Sequence, residues 1–303
     1  MPSATRRLFV FFLLCFILPA LAEPVPDSRG EWTRLTKEAA RMGLPSRFLR
    51  LLPPGFVTLE FADLKNVAAE YHPDGHRMVL HLALSEGGRG KRLRPLRKIG
   101  NRDLATLYHE LFHAYFDYVD SASGASSMTA QGARLHAEAK RLAACRYTIV
   151  EVGPVSPQQG SVRKATFEKR RLTEREAWEA LNETWGVFVG WAVWTELETT
   201  DRLKPAHRWD WDTQEQFLDR LDEASSSGAL TGYFEPAGQD ERKGVPRWHL
   251  APRYAISAPE VALLLEVILE ESPGMAKLAA AWSTAPAGQP ALDDCQPVGG
   301  EQK

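Results

Sequence analysis

The chain has 303 residues, of which 44% are hydrophobic and 25% are charged, with a formal net charge of −2. This composition supports one large or two small folded cores, and the mild negative charge gives no sign of a nucleic-acid-binding surface. No stretch after residue 22 is apolar for long enough to cross a bilayer, so stable membrane insertion is not expected of the mature chain.

The first 22 residues have the layout of a secretory signal peptide. Arg6 and Arg7 form a basic start, residues 8–18 are apolar, and Ala20 and Ala22 supply a small-residue cleavage site. The apolar run is too short to span a membrane. We therefore expect an exported protein, periplasmic or extracellular. Cleavage removes two arginines and no acid, so the formal charge falls from −2 to −4.

Two cysteines remain after cleavage, Cys145 and Cys295. An oxidising compartment permits one disulfide between them, which would tie the C-terminal tail to a helix near residue 140. The alternative is one buried thiol and one thiol in the tail. Both interpretations remain open, because sequence does not show whether two residues are close in space.

The chain before residue 100 mixes helix and strand. Residues 31–52 have a helical pattern broken at Gly43, and residues 55–64 and 78–85 alternate in the manner of β-strands. These strands predict a small antiparallel sheet with an exposed edge. The glycine-rich basic segment 87–98 predicts a mobile loop, whose cations are solvated or favour an acidic substrate.

Helices dominate after residue 100. The patterns predict helices over residues 101–119, 133–147, 172–198, 213–224 and 258–271. The third helix opens with the capping-box pattern Thr173-x-x-Glu176. Residues 121–132 and 152–160 predict loops, and it is left open whether segments 87–98 and 121–132 gate a site.

The fold class predicted from these elements is α+β and predominantly helical, with a small antiparallel sheet and a helical C-terminal half. We expect a single domain over residues 23–284 and a flexible tail over residues 285–303. The oligomeric state is not predicted.

Residues 109–113 are His-Glu-Leu-Phe-His, within the helix predicted over 101–119. Histidines four residues apart lie on one face of a helix, so both imidazoles can bind one metal ion. Glu110 lies about 60° around the helix from His113, close enough to act on a water at that ion. Leucines and aromatic residues nearly surround this helix, and burial of these three polar side chains is costly unless a metal satisfies them.

Zinc suits two imidazoles and a carboxylate with a fourth position left open. It activates water and polarises a carbonyl, and Glu110 would act as the general base for that water. The motif therefore predicts one Zn²⁺ per chain, bound by His109, His113 and a third residue.

The stretch from His109 to Tyr118 resembles the active-site helix of thermolysin-like metallopeptidases, His-Glu-Leu-Thr-His-Ala-x-x-Asp-Tyr. That resemblance implies a zincin-like active-site helix and a third zinc ligand from an Asn-Glu pair on a later helix. Asn182 and Glu183 match that pair, which makes Glu183 the ligand implied and the protein a gluzincin. Asp117 and Asn182 belong to the matched motifs and are candidates to orient the ligands.

The resemblance covers two helices rather than the whole chain. Val187 stands where the family has an aspartate that orients one histidine, so another residue must do this here. The interval from His113 to Glu183 is 70 residues, longer than in the family. We therefore infer the gluzincin group, not the family of thermolysin itself.

Residues other than Glu183 could supply the third zinc ligand. Metzincins need a glycine and a further ligand where this chain has Phe116 and Val119, which excludes that arrangement. Glu179 lies one turn before Glu183 on the same helical face and is the main competitor. The weaker alternatives are Glu176, Glu138 and His136.

A zinc peptidase also needs a donor for the oxyanion that develops on the attacked carbonyl. Tyr233, His249 and Tyr254 lie in the loop-rich segment after the ligand helices and are candidates. The strands over 56–85 could offer an edge that pairs with an extended peptide.

The predicted function is a secreted zinc metallopeptidase acting on a peptide or protein substrate. One alternative is a zinc hydrolase acting on a non-peptide bond. Another is an exported, non-catalytic module whose metal site is structural or degenerate.

Overall fold

The computed structural model describes residues 23–24, 27–65, 67–125, 128–154, 168–199, 211–227, 229–230, 248–252 and 256–269. The predicted signal peptide (1–22) and tail (285–303) lie outside these residues, as do Tyr233, Tyr254 and Cys295. Within the described part of the chain, no helix is both long and apolar enough to cross a bilayer.

Helices predominate in the described chain, as predicted. They are α1 (Ser28–Met42), α2 (Arg47–Arg50), α3 (Asn101–Ser121), α4 (Ala130–Ala143), α5 (Glu174–Thr199), α6 (Trp211–Ser227) and α7 (Ala258–Val267), with 3₁₀ turns at Leu82–Leu84, Glu86–Gly88 and Leu96–Lys98. The predicted break after α1 is confirmed, because Gly43 ends that helix at a φ of 65°, a left-handed conformation that glycine adopts without a steric penalty. The capping box that opens α5 is confirmed as well, since Thr173 and Glu176 exchange hydrogen bonds.

A four-stranded mixed sheet precedes α3. Its strands are β1 (Glu23–Pro24), β2 (Thr58–Ala62), β3 (Ala69–His72) and β4 (Arg77–His81), in the order β1-β2-β4-β3. The prediction of an antiparallel sheet is wrong for the central pair, because β2 and β4 run parallel. The cause is β3, which the alternation pattern did not reveal. It forms an antiparallel hairpin with β4 on the outer side, so β4 returns in the direction of β2.

A second sheet lies in the C-terminal half. Its strands β5 (Ile149–Pro154), β6 (Glu168–Arg171) and β7 (Trp248–Pro252) are antiparallel in the order β6-β5-β7. The predicted loop over 152–160 therefore begins as strand, and the rest of it lies outside the described residues. The described part of the C-terminal half is thus mainly helical, as predicted, with a small sheet that the sequence patterns did not reveal.

Helix α3 lies at the centre of the core, in contact with β3 on one side and α5 on another. Leu104, Leu107, Leu111 and Phe112 are fully buried, as expected of a helix with apolar side chains nearly all round. The predicted packing of the small sheet on this helix is confirmed. The polar side chains of His109 and Glu110 in the middle of α3 are consequently mostly covered by protein, at 20% and 15% exposed.

The basic segment 87–98 is anchored, although the sequence predicted a mobile loop. The amide of Leu93 donates to Glu31 Oε2 at 3.0 Å, and the amide of Leu96 donates to Glu38 Oε1 at 3.0 Å. Both acceptors belong to α1. The predicted linker at 121–132 is also shorter than expected, because α3 continues to Ser121 and α4 begins at Ala130.

A buried carboxylate holds the rear of α5. Glu260 of α7 is 1% exposed and accepts hydrogen bonds from Tyr147 Oη at 2.7 Å and Trp185 Nε1 at 3.0 Å. The amide of Ser257 donates to it at 2.8 Å, and Arg146 Nε lies 3.3 Å away. Charged groups this deep are stable only when paired and hydrogen-bonded, so this network fixes α5 relative to α4 and α7.

Two tryptophans of α5 flank the position of Glu183 and contact one phenylalanine of α3. Trp178 stacks on Phe116 with ring centroids 4.8 Å apart, and Trp185 meets the same ring edge-on at 5.7 Å. These contacts press α5 against α3 on either side of Glu183.

Candidate metal centre

Two helices bring three ligand-type side chains together. His109 and His113 come from α3 and Glu183 from α5, and one ligand atom of each lies within 4.8 Å of the others. Glu183 Oε2 is 3.5 Å from His109 Nε2, and Glu183 Oε1 is 3.4 Å from His113 Nε2. Two ligands about 2.1 Å from a tetrahedral zinc ion lie about 3.4 Å apart, so the carboxylate is at the right separation from both rings.

The two imidazoles are closer to each other than to the carboxylate. Their Nε2 atoms are 2.8 Å apart, with the rings nearly perpendicular. This is hydrogen-bonding distance and is about 0.6 Å shorter than a shared zinc ion requires. The donor set otherwise fits zinc in chemical type and in number.

The ring of His113 is held by Asn182. Asn182 Oδ1 lies 3.0 Å from His113 Nδ1 and accepts a hydrogen bond from it. In a neutral imidazole with its proton on Nδ1, as metal binding requires, the lone pair of Nε2 would point toward His109 and Glu183. Asn182 thus supplies the orienting contact that Val187 cannot.

Two glycines let α5 approach α3 this closely. A Cβ atom at Gly186 would lie 2.9 Å from His113 Cε1 and 3.2 Å from His109 Nε2. At Gly190 it would lie 2.9 Å from the carbonyl oxygen of Ala105. Real Cβ atoms rarely approach other atoms so closely, so both positions require glycine for Glu183 to reach the histidines.

Glu110 stands beside the three ligands without joining them. Its Oε1 is 3.9 Å from His109 Nε2, and its Oε2 accepts a hydrogen bond from the backbone amide of Tyr71 at 2.8 Å. Burial raises the pKa of Glu110 to about 7, against the attraction of His113 and the Tyr71 hydrogen bond, which lower it. Near neutral pH such a carboxyl can both accept and release a proton.

Glu183 behaves differently although it is a neighbour. Burial acts to raise its pKa, but the attraction of His113 and the hydrogen bond and charge of His109 together lower the pKa below its ordinary value. Glu183 is therefore held ionised, as a metal ligand must be. The pKa values of these two neighbouring carboxyl groups are thus shifted in opposite directions.

The alternative ligands lie elsewhere. Glu179 pairs with Arg175 at 2.9 Å on the outside of α5. His136 lies 3.1 Å from Asp120. Glu138 pairs with a neighbouring arginine of α4, and Glu176 serves the cap of α5.

Asp117 does not contact the ligand set in the described structure. Its Oδ2 instead accepts hydrogen bonds from Tyr71 Oη at 2.5 Å and His76 Nδ1 at 2.7 Å. Asp117 therefore makes no direct contact with His109, His113 or Glu183 among the described residues, and its candidate role beside the ligands stays a prediction. Seven residues separate it from Glu110, which puts it two turns further along α3.

The remaining predicted residues are only partly described. His249 lies in β7, opposite Gly153 of β5, and its side chain is not among those described. Tyr233 and Tyr254 fall outside the described residues. Cys145 is disulfide-bonded. Because Cys15 and Cys295 both lie outside the described residues, the pairing with Cys295 stays a prediction.

Sequence reasoning missed Gly186, Gly190 and Tyr71. The two glycines stand four apart in a helix that is otherwise apolar, and such glycines commonly mark close helix packing. That signal was available. Tyr71 acts on Glu110 through its backbone amide, which no residue type reveals.

Comparisons with protein-family models, with curated proteins and with solved structures each found no match to this chain.

Proposed function

We propose that the protein is an exported zinc metallopeptidase of the gluzincin type, with His109, His113 and Glu183 as ligands and Glu110 as general base. The observation that carries this proposal is the convergence of two imidazoles and an ionised carboxylate next to a separate, buried carboxyl. A purely structural metal site has no use for a second acid of raised pKa whose Oε1 lies 3.9 Å from His109 Nε2.

When bound, zinc supplies Lewis-acid polarisation of a carbonyl and makes water more acidic. The protein's own contribution begins with Glu110, which accepts a proton from the attacking water at Oε1 and delivers it to the departing amine. Tyr71 holds the other oxygen of that carboxylate through its amide. Asn182 accepts a hydrogen bond from His113 Nδ1, which favours the tautomer whose Nε2 is free to bind the metal.

An extended peptide is the substrate class that the neighbouring strand favours. β3 is the edge strand of its sheet, and no described strand pairs with its outer side. The amide of Tyr71 points away from β4, toward Glu110. In an antiparallel pair, alternate residues face outward, so the backbone groups of Ala69 lie on the same side as the Tyr71 amide, which is already donated to Glu110. A peptide lying along this edge would bring its backbone beside Glu110.

The disulfide of Cys145 supports an exported location, since such bonds persist mainly in oxidising compartments. The layout of residues 1–22 supports the same compartment.

The test compares zinc content and hydrolysis of a mixed peptide library for the mature wild type and three variants. Glu183→Ala should lose zinc and activity together. Glu110→Gln should keep about one zinc per chain while kcat falls by at least about 100-fold. Glu179→Ala is the matched control, because it removes a carboxylate one turn away that pairs only with Arg175 in the described structure.

Three outcomes would contradict the proposal. Full activity in Glu110→Gln would show that Glu110 is not the general base. Zinc binding with hydrolysis of esters or other acyl bonds but no peptide would favour the non-peptide hydrolase. Failure of the wild type to bind supplied zinc would favour the non-catalytic module.

A further inference from the structure

The carboxylate of Glu110 is held in place by β3. Among the described residues, the amide of Tyr71 is the one hydrogen-bond donor to this carboxylate. β3 has only four residues and pairs on one side with β4. The position of that amide therefore depends on whatever else fixes Tyr71, because a short edge strand is weakly held by its own ladder.

The side chain of Tyr71 is fixed by the same helix that carries Glu110. Its hydroxyl donates to Asp117 Oδ2 at 2.5 Å, and the residue is 9% exposed. Seven residues of α-helix span about 10 Å and return to nearly the same face. Tyr71 therefore bridges two turns of α3, with its amide on Glu110 and its hydroxyl on Asp117.

His76 completes the attachment from the turn between β3 and β4. Its Nδ1 donates to Asp117 Oδ2 at 2.7 Å, and its ring stacks on Phe56 with centroids 4.1 Å apart. Its φ is 52°, a left-handed conformation uncommon outside glycine. Such a backbone persists when its surroundings hold it, and here Asp117 and Phe56 do so.

We propose that Asp117 and the Tyr71 hydroxyl are positioning residues for the general base. They act on Glu110 through the backbone of Tyr71, which they hold against α3 so that its amide stays aligned with Oε2. The inference rests on the proposed peptidase function. It assigns a role in catalysis to two groups that do not contact the metal ligands.

The experiment measures zinc content, thermal stability, kcat and KM on one peptide substrate for Tyr71→Phe, Asp117→Asn and the double variant. Tyr118→Phe is the control, because it also removes one tyrosine hydroxyl, at the residue that follows Asp117 in α3. Tyr71→Phe should keep its zinc and its KM within about twofold while kcat falls about 10- to 100-fold, since small misplacements of a reacting group have effects of this size.

Asp117→Asn should lower kcat less than Tyr71→Phe does, because an amide oxygen still accepts a hydrogen bond from the Tyr71 hydroxyl. The double variant should lose no more than Tyr71→Phe alone, since both changes break one connection. Losses of kcat that do not add show that Tyr71 and Asp117 act through one connection, and the measured thermal stability separates positioning from general destabilisation. Tyr118→Phe should leave kcat unchanged.

An unchanged kcat in Tyr71→Phe, or a loss of zinc together with kcat, would overturn the positioning role and leave the peptidase proposal intact. Equal losses in Tyr118→Phe and Tyr71→Phe would also overturn it. A wild type that binds zinc but cleaves no peptide would overturn both proposals, which distinguishes the two failures.

Discussion

Replacing Glu110 by glutamine should stabilise the metal-free protein at alkaline pH but not at acidic pH. Glu110 is only 15% exposed, and burial raises its pKa from an ordinary 4.5 to about 7. Glutamine has nearly the same shape, cannot ionise, and can still accept the amide hydrogen of Tyr71. The substitution therefore removes the charge and keeps the packing.

The sign follows from where the proton is bound. Below pH 4.5 the carboxyl is protonated in both the folded and unfolded states, so its contribution does not change. Between 4.5 and about 7 the folded protein keeps a proton that the unfolded chain has released, so stability falls as pH rises. Above that range the loss is complete, at about 3 kcal/mol for a pKa raised this far.

The assay is urea unfolding of wild type and Glu110→Gln in chelator, at about pH 5 and about pH 8. The difference in unfolding free energy between Glu110→Gln and wild type should grow by about 2–3 kcal/mol in favour of the variant at the higher pH. Glu179→Gln is the control for the same chemical change at a surface carboxylate. A difference that is equal at both pH values would refute the reasoning, because it would mean that burial does not disfavour the ionised form.

Three further variants test the architecture of the site. Gly186→Ala places a methyl group 2.9 Å from His113 Cε1, so the zinc affinity measured by chelator competition should fall at least about tenfold. The melting temperature should change little, because alanine stabilises a helix by about 1 kcal/mol relative to glycine. Unaltered affinity would contradict the packing argument. Asn182→Ala should weaken zinc binding about 10- to 100-fold in the same assay, as loss of an outer contact to a ligand does elsewhere. Glu260→Ala should lower the free energy of urea unfolding by about 3–5 kcal/mol without affecting zinc stoichiometry, because donors such as Trp185 lose a buried acceptor.

The helix that carries the histidines could be predicted from sequence because residue spacing and apolar periodicity within one segment are enough to identify it. Spacing places His109 and His113 on one face, and the apolar surroundings predict burial. The structure agrees on both points, with α3 at the centre of the core. The proximity of Glu183 is different in kind. Glu179 and Glu183 are one turn apart on one face of α5, so periodicity cannot choose between them, and only the resemblance favoured Glu183.

What decides between those two carboxylates is the packing of the helices. Gly186 lies one turn beyond Glu183 and leaves space for both imidazoles, whereas Glu179 lies on the far side of Glu183 beside Arg175. The parallel pairing of β2 and β4 escaped prediction for a related reason. β3 is four residues long, too short to show strand alternation clearly, and its position depends on contacts with α3.

The site is built from groups that weaken the fold, and the contacts beside it offset that weakness. An ionised Glu110 costs about 3 kcal/mol in the absence of metal. Phe116 of α3 meets Trp178 and Trp185 of α5, and Phe112 meets Trp185 at 6.4 Å. Each such pair contributes about 0.5–1.5 kcal/mol beyond its buried area, so three give about 1.5–4.5 kcal/mol. The two magnitudes are comparable, and both involve the α3–α5 interface. The aromatic contacts therefore offset the cost of an ionised Glu110 and keep α3 and α5 close together around His109, His113 and Glu183.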